Sequence, residues 1–535
     1  MDSLLRTAAG LGLSAFINER KKGISLTKAK MLVLAMSAIL LTGSSLAGCS
    51  STKTEPAAAS KNGASGGKDS KPLKLDIIET GNGLPSPDQD IIKQELDKAL
   101  GTDLNLTVYA SGDDYKNQLN VRMASANFPD IFGVDRQQLK QFSEQGLLLD
   151  LTPYLDKLKP TKDFIGEESL KKGMMNGKLF AIAKSPTIPY NTYFIRKDWL
   201  DKLGMQVPKT TDELLEAAKA FAEKDPDGNG KKDTFGLTGQ KLDAFSSIFG
   251  AYGVGFEAGA PSLYVRDGKL VNSLYDQGMK DALSFIKKLT DAGAVDPELM
   301  ANSGLQHQQK AIKGQAGIIY IDWPNMTKDQ FVEQIKAVNP KAEWVQVGAL
   351  KGPGGQYTSA WDIGKTAGLY AIPKALEKNP EKLQKVLDLL NYVSTKDGSL
   401  LVQYGVKGKH YNLEGSKVVP TDLMGKEGGY FWLYQFTGRP EMDYLQVKFA
   451  KQSPYIEFAN QQPRIQSLVG FVDYPNGYNA TDASRYIEEE LAKFVYGKRP
   501  ISEYDAFLKT LEGSMNYKVY MDAAQKQLKD LGYLK

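Results

Sequence analysis

The sequence predicts an α/β protein of at least two domains, and three observations carry that reading. Strand-like and helical segments alternate along much of the 535 residues, the order that builds a mainly parallel sheet covered by helices. No repeat of fixed period is visible, which weighs against a solenoid or a propeller. The chain is also well beyond the size at which one hydrophobic core stops growing.

Residues 73–80 (LKLDIIET) alternate as a strand does, and Gly and Pro punctuation follows them. A helix is then predicted over 88–100 from apolar positions at helical spacing. A strand at 104–109, a helix at 113–126 and a short strand at 130–134 continue the alternation. Further on, 193–195 is apolar and β-rich, and 211–223 is a helix with Leu214, Leu215, Ala218 and Phe221 on one face. Residues 317–321 (GIIYI) read as a buried strand, 368–372 as another strand and 380–393 as a helix. From 482 to the end the pattern is largely helical.

Before the first strand, Arg20, Lys21, Lys22, Lys28 and Lys30 lead into an apolar run over 31–41 and then into small residues, the layout of an export signal. That run is about half the 20 apolar residues a membrane span needs. It closes on Leu46, Ala47, Gly48 and Cys49, and L-A-G-C resembles the bacterial lipobox. The resemblance implies cleavage after residue 48 and lipid on the sulfur of Cys49, which would hold the protein on the extracellular face of the cell membrane. Residues 50–71 are Ser, Ala, Gly and Lys with few apolar side chains, a composition that reads as a flexible tether.

The chain has 67 basic and 63 acidic residues. Positions 1–48 hold Arg6, Arg20, Lys21, Lys22, Lys28 and Lys30 against Asp2 and Glu19, so the remainder is balanced at 61 of each sign. A nucleic-acid partner loses its electrostatic footprint. With a single cysteine, no disulfide can form within the chain, and stability outside the cytoplasm falls to large cores and a bound metal.

Residues 225–236 (DPDGNGKKDTFG) offer that metal a place. Side-chain oxygens fall at the first, third, fifth and ninth positions, as Asp225, Asp227, Asn229 and Asp233; Lys231 gives a backbone carbonyl at the seventh and Gly230 makes the turn at the sixth. This is the spacing of an EF-hand loop around calcium. Gly236 stands at the twelfth place instead of a bidentate Glu, so another ligand or water would be needed. The same residues also suit a solvated Asp/Gly turn.

Several segments fit one family. Residues 124–131 (ASANFPDI), 146–154 (GLLLDLTPY), 176–182 (NGKLFAI), 194–204 (FIRKDWLDKLG), 207–210 (VPKT), 405–411 (GVKGKHY) and 497–500 (GKRP) are similar to stretches of the extracellular solute-binding proteins, family 1, of ABC importers, in the branch that includes binders of alginate and other oligosaccharides. The resemblance implies a two-lobed periplasmic-binding-protein-like fold of type II, with discontinuous lobes, a hinge and an interlobe cleft. It divides the chain into a signal peptide (1–48), a tether (49–71), a first N-lobe segment (72–185), a first C-lobe segment (186–366), a second N-lobe segment (367–403) and a second C-lobe segment with C-terminal helices (404–535). Crossings are expected near 184–191, 366–373 and 403–409. It further implies a monomer without enzymatic activity that takes an oligosaccharide to the permease subunits of an ABC transporter, with calcium as a structural cofactor.

A sugar cleft needs aromatic planes beside hydrogen-bonding side chains. The candidates are Tyr190 with Asn191; Asp322 with Trp323 and Asn325; Trp361 with Asp362; Trp432 with Tyr434 and Gln435; and Tyr474 with Asn476 and Tyr478. Arg439 would suit an acidic sugar. Trp199 and Trp344 are assigned to packing, His410 is expected beside Tyr411, and His307 is expected at solvent or at the cleft edge. Two rival readings stand beside transport: a carbohydrate-active enzyme using two carboxylates, for which no catalytic motif is visible, and a ligand-sensing or peptide-binding lipoprotein.

Overall fold

The computed structural model describes residues 71–535. Cys49, the leader over 1–48 and the tether up to residue 70 lie outside the described residues. In chain order the strands of the two main sheets are β1 (Leu73–Thr80), β2 (Thr102–Tyr109), β3 (Ile131–Val134), β4 (Ala181–Ala183), β5 (Asn191–Arg196), β6 (Phe235–Thr238), β7 (Ala316–Asp322), β8 (Trp344–Val347) and β9 (Leu369–Ala371). One sheet has the order β2-β1-β3-β9-β4 and the other β8-β5-β7-β6. Each sheet is the centre of one lobe.

The sheets are mixed, not mainly parallel. β1 runs parallel to β2 and β3, whereas β9 is antiparallel to both β3 and β4. In the second sheet β5 is antiparallel to β7 and β8, and only β7 and β6 are parallel. The cause is the route of the chain. A parallel neighbour requires a helical crossover on the same sheet, but β4 hands the chain to β5 in the other lobe and β9 receives it back.

Both sheets are buried on both faces, which is why their strands read as near-continuous apolar runs. Tyr193 and Ile195 of β5 join Ile318 and Tyr320 of β7 in one core, while Phe194, Ile319 and Ile321 enter the core on the opposite face. The first sheet divides likewise, with Leu75, Ile77 and Ile131 on one side and Ile78 and Phe132 on the other. The helix Thr211–Glu223 begins where Thr210 and Glu213 form a capping box. It packs Leu214, Ala218 and Phe221 into the second lobe.

Three segments join the lobes side by side. Lys184 N donates to Gly368 O at 2.9 Å and Thr187 N to Lys365 O at 2.8 Å, while Ser185 N donates to Thr437 O at 2.9 Å. The Ser185 hydroxyl donates to Arg439 O at 2.8 Å and accepts from Arg439 N at 2.9 Å. Gly438 has φ +85°, and a Cβ there would lie 2.4 Å from Ser185 Oγ, so only glycine fits this close approach. The later course of the chain is more crossed than the sequence suggested. Tyr404, Tyr411 and Met424 pack on the second sheet, Tyr430, Phe431, Leu433 and Phe436 return to the first lobe's core, and Tyr444 and Leu445 lie on the second sheet again. Among the described residues no helix is long and apolar enough to cross a membrane.

Candidate functional site

Beside the crossings, on the second lobe, lies a cavity of about 90 Å³ lined by Pro189, Asn191, Asp243, Glu257, Trp361, Lys365 and Arg464, among others. The short strand Ala360–Asp362 builds it by pairing in parallel with Ile465–Ser467, which brings Trp361 and Arg464 to one place. Lys365 Nζ sits 4.5 Å from the centre of the Trp361 ring and 2.6 Å from Glu257 Oε1. Glu257 Oε2 accepts from Asp362 N at 3.0 Å. The Asp362 carboxylate accepts from Lys172 of the first lobe at 2.6 Å.

Arg464 is half-buried and spends its guanidinium on carbonyls: Ala459 O at 2.7 Å, Gln462 O at 3.1 Å and Asn191 O at 3.0 Å. Burial pulls its pKa below the usual arginine value. Asp243 accepts from the Ser246 hydroxyl at 2.7 Å and from Gly259 N at 3.2 Å, and burial raises its carboxyl.

On the first lobe, Glu79 of β1 is only 4% exposed. One of its oxygens accepts from the Tyr370 hydroxyl; the other has no partner among the described residues. Burial pushes this carboxyl up to about 7, with Lys184 pulling the other way. Lys184, 8% exposed, holds its ammonium 5.2 Å from the Tyr370 ring centre, and burial lowers its pKa against the field of Glu79. Trp432 lies close to Gly81, where an added Cβ would come within 3.3 Å of the indole. Gly81 directly follows β1, so an indole of this lobe sits at the carboxyl end of a parallel strand, where open α/β sheets place ligands.

Asn191 and Trp361 thus line one cavity, Asp362 adjoins it through its backbone bond to Glu257 while its carboxylate meets Lys172, and Trp432 belongs to the first lobe's side. The other candidates are elsewhere. Trp323 is 1% exposed, packed edge-on to Tyr190 and Phe449 with ring centres 5.7 and 5.4 Å away. The Tyr190 hydroxyl donates to Glu441. Asp322 accepts from the backbone and side chain of Asn325 at 3.0 and 3.1 Å, a local cap that occupies both residues. Tyr474, 48% exposed, lines a groove of about 740 Å³ with Arg136 and Asn476, and Tyr478 stacks on Tyr520 at 5.0 Å. Tyr434 donates to Asp90 at 2.5 Å and Gln435 to Val402 O at 3.0 Å. Arg439 is held by Glu441 at 2.7 and 2.9 Å and lies 3.8 Å over Tyr444, so its charge is already matched.

His307 is not at solvent: it is 5% exposed, and burial pushes its pKa down to about 4. The helix Gln306–Ile312 packs against the second sheet and takes the ring inside. His410 is fully buried beside Phe431, accepting from Val406 N at 2.9 Å and meeting Glu427 at 3.0 Å.

Among the described residues no group of three or more His, Cys, Asp or Glu side chains is gathered as a metal cage. The 225–233 loop nevertheless brings its oxygen side chains close. Asn229 Nδ2 lies 2.8 Å from Asp227 Oδ2 and 3.1 Å from Asp233 Oδ1, while the Asp225 carboxylate accepts from Gly228 N, Asn229 N and Gly230 N at 3.0 to 3.1 Å. Partial burial and the neighbouring Asp225 raise the Asp227 carboxyl, while its bond with Asp227 and the loop's backbone N–H groups lower the Asp225 carboxyl. The departure at the twelfth position has a physical reason. Gly236 belongs to β6 and packs on the helix Thr211–Glu223, where a Cβ would meet Ala218 O at 2.4 Å.

The model of the bacterial extracellular solute-binding protein family matches residues 82–399, more than half of the chain. The chain belongs to this family. Lipoprotein LipO of Bacillus subtilis (strain 168) is 30% identical over 446 residues, 82% of each chain. The polygalacturonan/rhamnogalacturonan-binding protein YtcQ of the same organism is 32% identical over 390 residues, 72% of this chain and 74% of YtcQ. The Streptococcus pneumoniae ABC-transporter substrate-binding protein FusA, solved as an EF-hand mutant in complex with fructo-nystose, matches with a TM-score of 0.61 at 19% identity over 86% of this chain and 99% of its own. The fold is the two-lobed type II fold of periplasmic binding proteins.

Proposed function

We propose that this solute-binding protein is anchored by lipid on Cys49, captures an oligosaccharide between its lobes and delivers it to an ABC-type permease. The observation that carries the reading is the Trp361 plane, set with Asn191, Lys365 and Arg464 against the crossings that join the lobes. An aromatic face takes the apolar side of a sugar ring while the polar neighbours take its hydroxyls. A ligand touching both lobes shifts the open and closed populations by the extra contacts of the closed form. The names of YtcQ and FusA support a saccharide ligand, and that of LipO supports the anchor. Membership of the same family supports binding rather than catalysis.

Calcium belongs to this proposal as a structural ion, held by the side-chain oxygens of Asp225, Asp227, Asn229 and Asp233 and by the carbonyl of Lys231. The ion would add positive charge among these carboxylates, beside the Lys202 ammonium that bonds Asp225 O and Pro226 O. A thermal-shift screen with oligosaccharide and peptide panels, run with and without a chelator, tests both elements. Stabilisation by peptides alone would replace the sugar reading, and melting points indifferent to the chelator would remove calcium.

A further inference from the structure

The strand Ala360–Asp362 that carries Trp361 has a second neighbour besides Ile465–Ser467. Phe256–Glu257 and Ala260–Pro261 pair antiparallel through a two-residue turn, Ala258 and Gly259, with φ of +51° and +79°, the left-handed pair that a tight hairpin needs. This hairpin is held at both ends. Phe256 is buried and stacks on Phe249 with ring centres 4.1 Å apart, and Gly259 N donates to the Asp243 carboxylate at 3.2 Å. Glu257 is therefore brought to the Trp361 cavity on a fixed frame.

We propose that Glu257 is the positioning residue of this site, holding the Lys365 ammonium on one face of Trp361 so that the indole offers a sugar ring only its other face. One carboxylate oxygen accepts from Lys365 Nζ at 2.6 Å, and the other accepts from Asp362 N, the amide next to Trp361, at 3.0 Å. The ammonium so held lies 4.5 Å over the centre of the indole. With both oxygens engaged, Glu257 acts through these two partners. The inference rests on the sugar-binding reading above and adds the residue that fixes the geometry of its aromatic plane.

Glu257 is the only described residue that bonds this ammonium. The Lys365 side chain is 42% exposed, and a lysine without a partner gains rotamer freedom and hydration by leaving the ring. The pull of an exposed indole on a cation is too weak to prevent that. The main chain of Lys365 is fixed separately: its N donates to Asp362 O at 2.9 Å, and its O accepts from Thr187 N of the first crossing at 2.8 Å. From that anchored backbone the side chain needs one further point of attachment, which Glu257 supplies. An ammonium placed in advance offers its remaining N–H groups to sugar hydroxyls with little ordering cost at binding.

Proton–carbon correlation spectra of the lysine-labelled protein read the contact directly, because protons over an indole face are shifted upfield by its ring current. The Lys365 Hε signal, assigned by its loss in Lys365→Met, is expected upfield. It should return to the position of solvent-exposed lysines in Glu257→Gln, while Glu257→Asp keeps part of the shift. An unchanged signal in Glu257→Gln would overturn the inference. Titration calorimetry with kestose, galactotriose, mannotriose and trigalacturonate reads the consequence for binding. For the trimer that wild type binds most tightly, Glu257→Gln and Lys365→Met should each weaken binding about tenfold, and the double variant no further, because the two residues act as one unit. Additive losses, or full affinity in Glu257→Gln, would overturn the inference and leave the sugar reading intact; wild type binding none of these trimers would overturn both. Should Glu257→Gln fold poorly, Glu257→Asp carries the same two tests.

Discussion

Lys172 Nζ lies 2.6 Å from Asp362 Oδ2, and the two residues belong to different lobes. Both side chains are largely withdrawn from water, at 6% and 15% exposure, so removing one strands the other charge. Asp362→Asn is expected to lower the unfolding free energy by about 3 kcal/mol, measured by guanidinium denaturation. A loss below about 1 kcal/mol would mean that solvent screens the pair.

Completing the calcium-type loop by Gly236→Glu should harm the protein. The new Cβ would stand 2.4 Å from Ala218 O and 2.6 Å from Ala218 Cβ, and such overpacking costs about 1 to 3 kcal/mol. Melting curves at several calcium concentrations check this: a variant both more stable and tighter for calcium would contradict the packing argument.

Glu79 gives the fold a pH dependence of known sign. Its carboxyl rises from 4.5 to about 7 on folding, so between those values the folded chain keeps a proton that the unfolded chain has lost. Stability is full below 4.5, falls as pH rises and levels off above 7. The difference between wild type and Glu79→Gln should change by roughly 3 kcal/mol across that window. Denaturant curves collected from pH 4.5 to 8 measure it, and parallel curves for the two proteins would contradict it.

The two loop tryptophans should separate cleanly. Trp361→Ala is expected to weaken oligosaccharide binding about tenfold, near 1.4 kcal/mol, with little change in stability. Trp323→Ala should cost about 3 to 5 kcal/mol of stability while, for the molecules that remain folded, affinity stays nearly constant. Titration calorimetry beside thermal melts distinguishes these outcomes.

These tryptophans also mark where the sequence stops being readable. Both follow strands and both stand among Asp, Asn, Pro and Gly, so local pattern treats them alike. What separates them is Phe449, far along the chain, which closes over Trp323. The strands around Ile77 and Ile319 were legible because burial on both faces leaves a local apolar signature, and the helix over 211–223 because its cap and apolar stripe are local as well. The crossings were legible only incompletely, since the partners of Ser185 are Thr437 and Arg439. Arg464 carries no local sign that it lines the Trp361 cavity. Glu79 did carry one: it falls in phase with the buried Leu75 and Ile77, a place where a carboxylate is out of character.

Ser185 has a mechanical meaning. A single covalent link between two bodies allows them to twist as well as bend, but three links bound to one another at neighbouring residues act like a door on three pins. Rotation about any axis except the one they share would stretch at least one of them. Gly438, pressed against the Ser185 hydroxyl, keeps those pins close enough to share that axis. A closing motion about that shared axis is therefore the one that strains these links least.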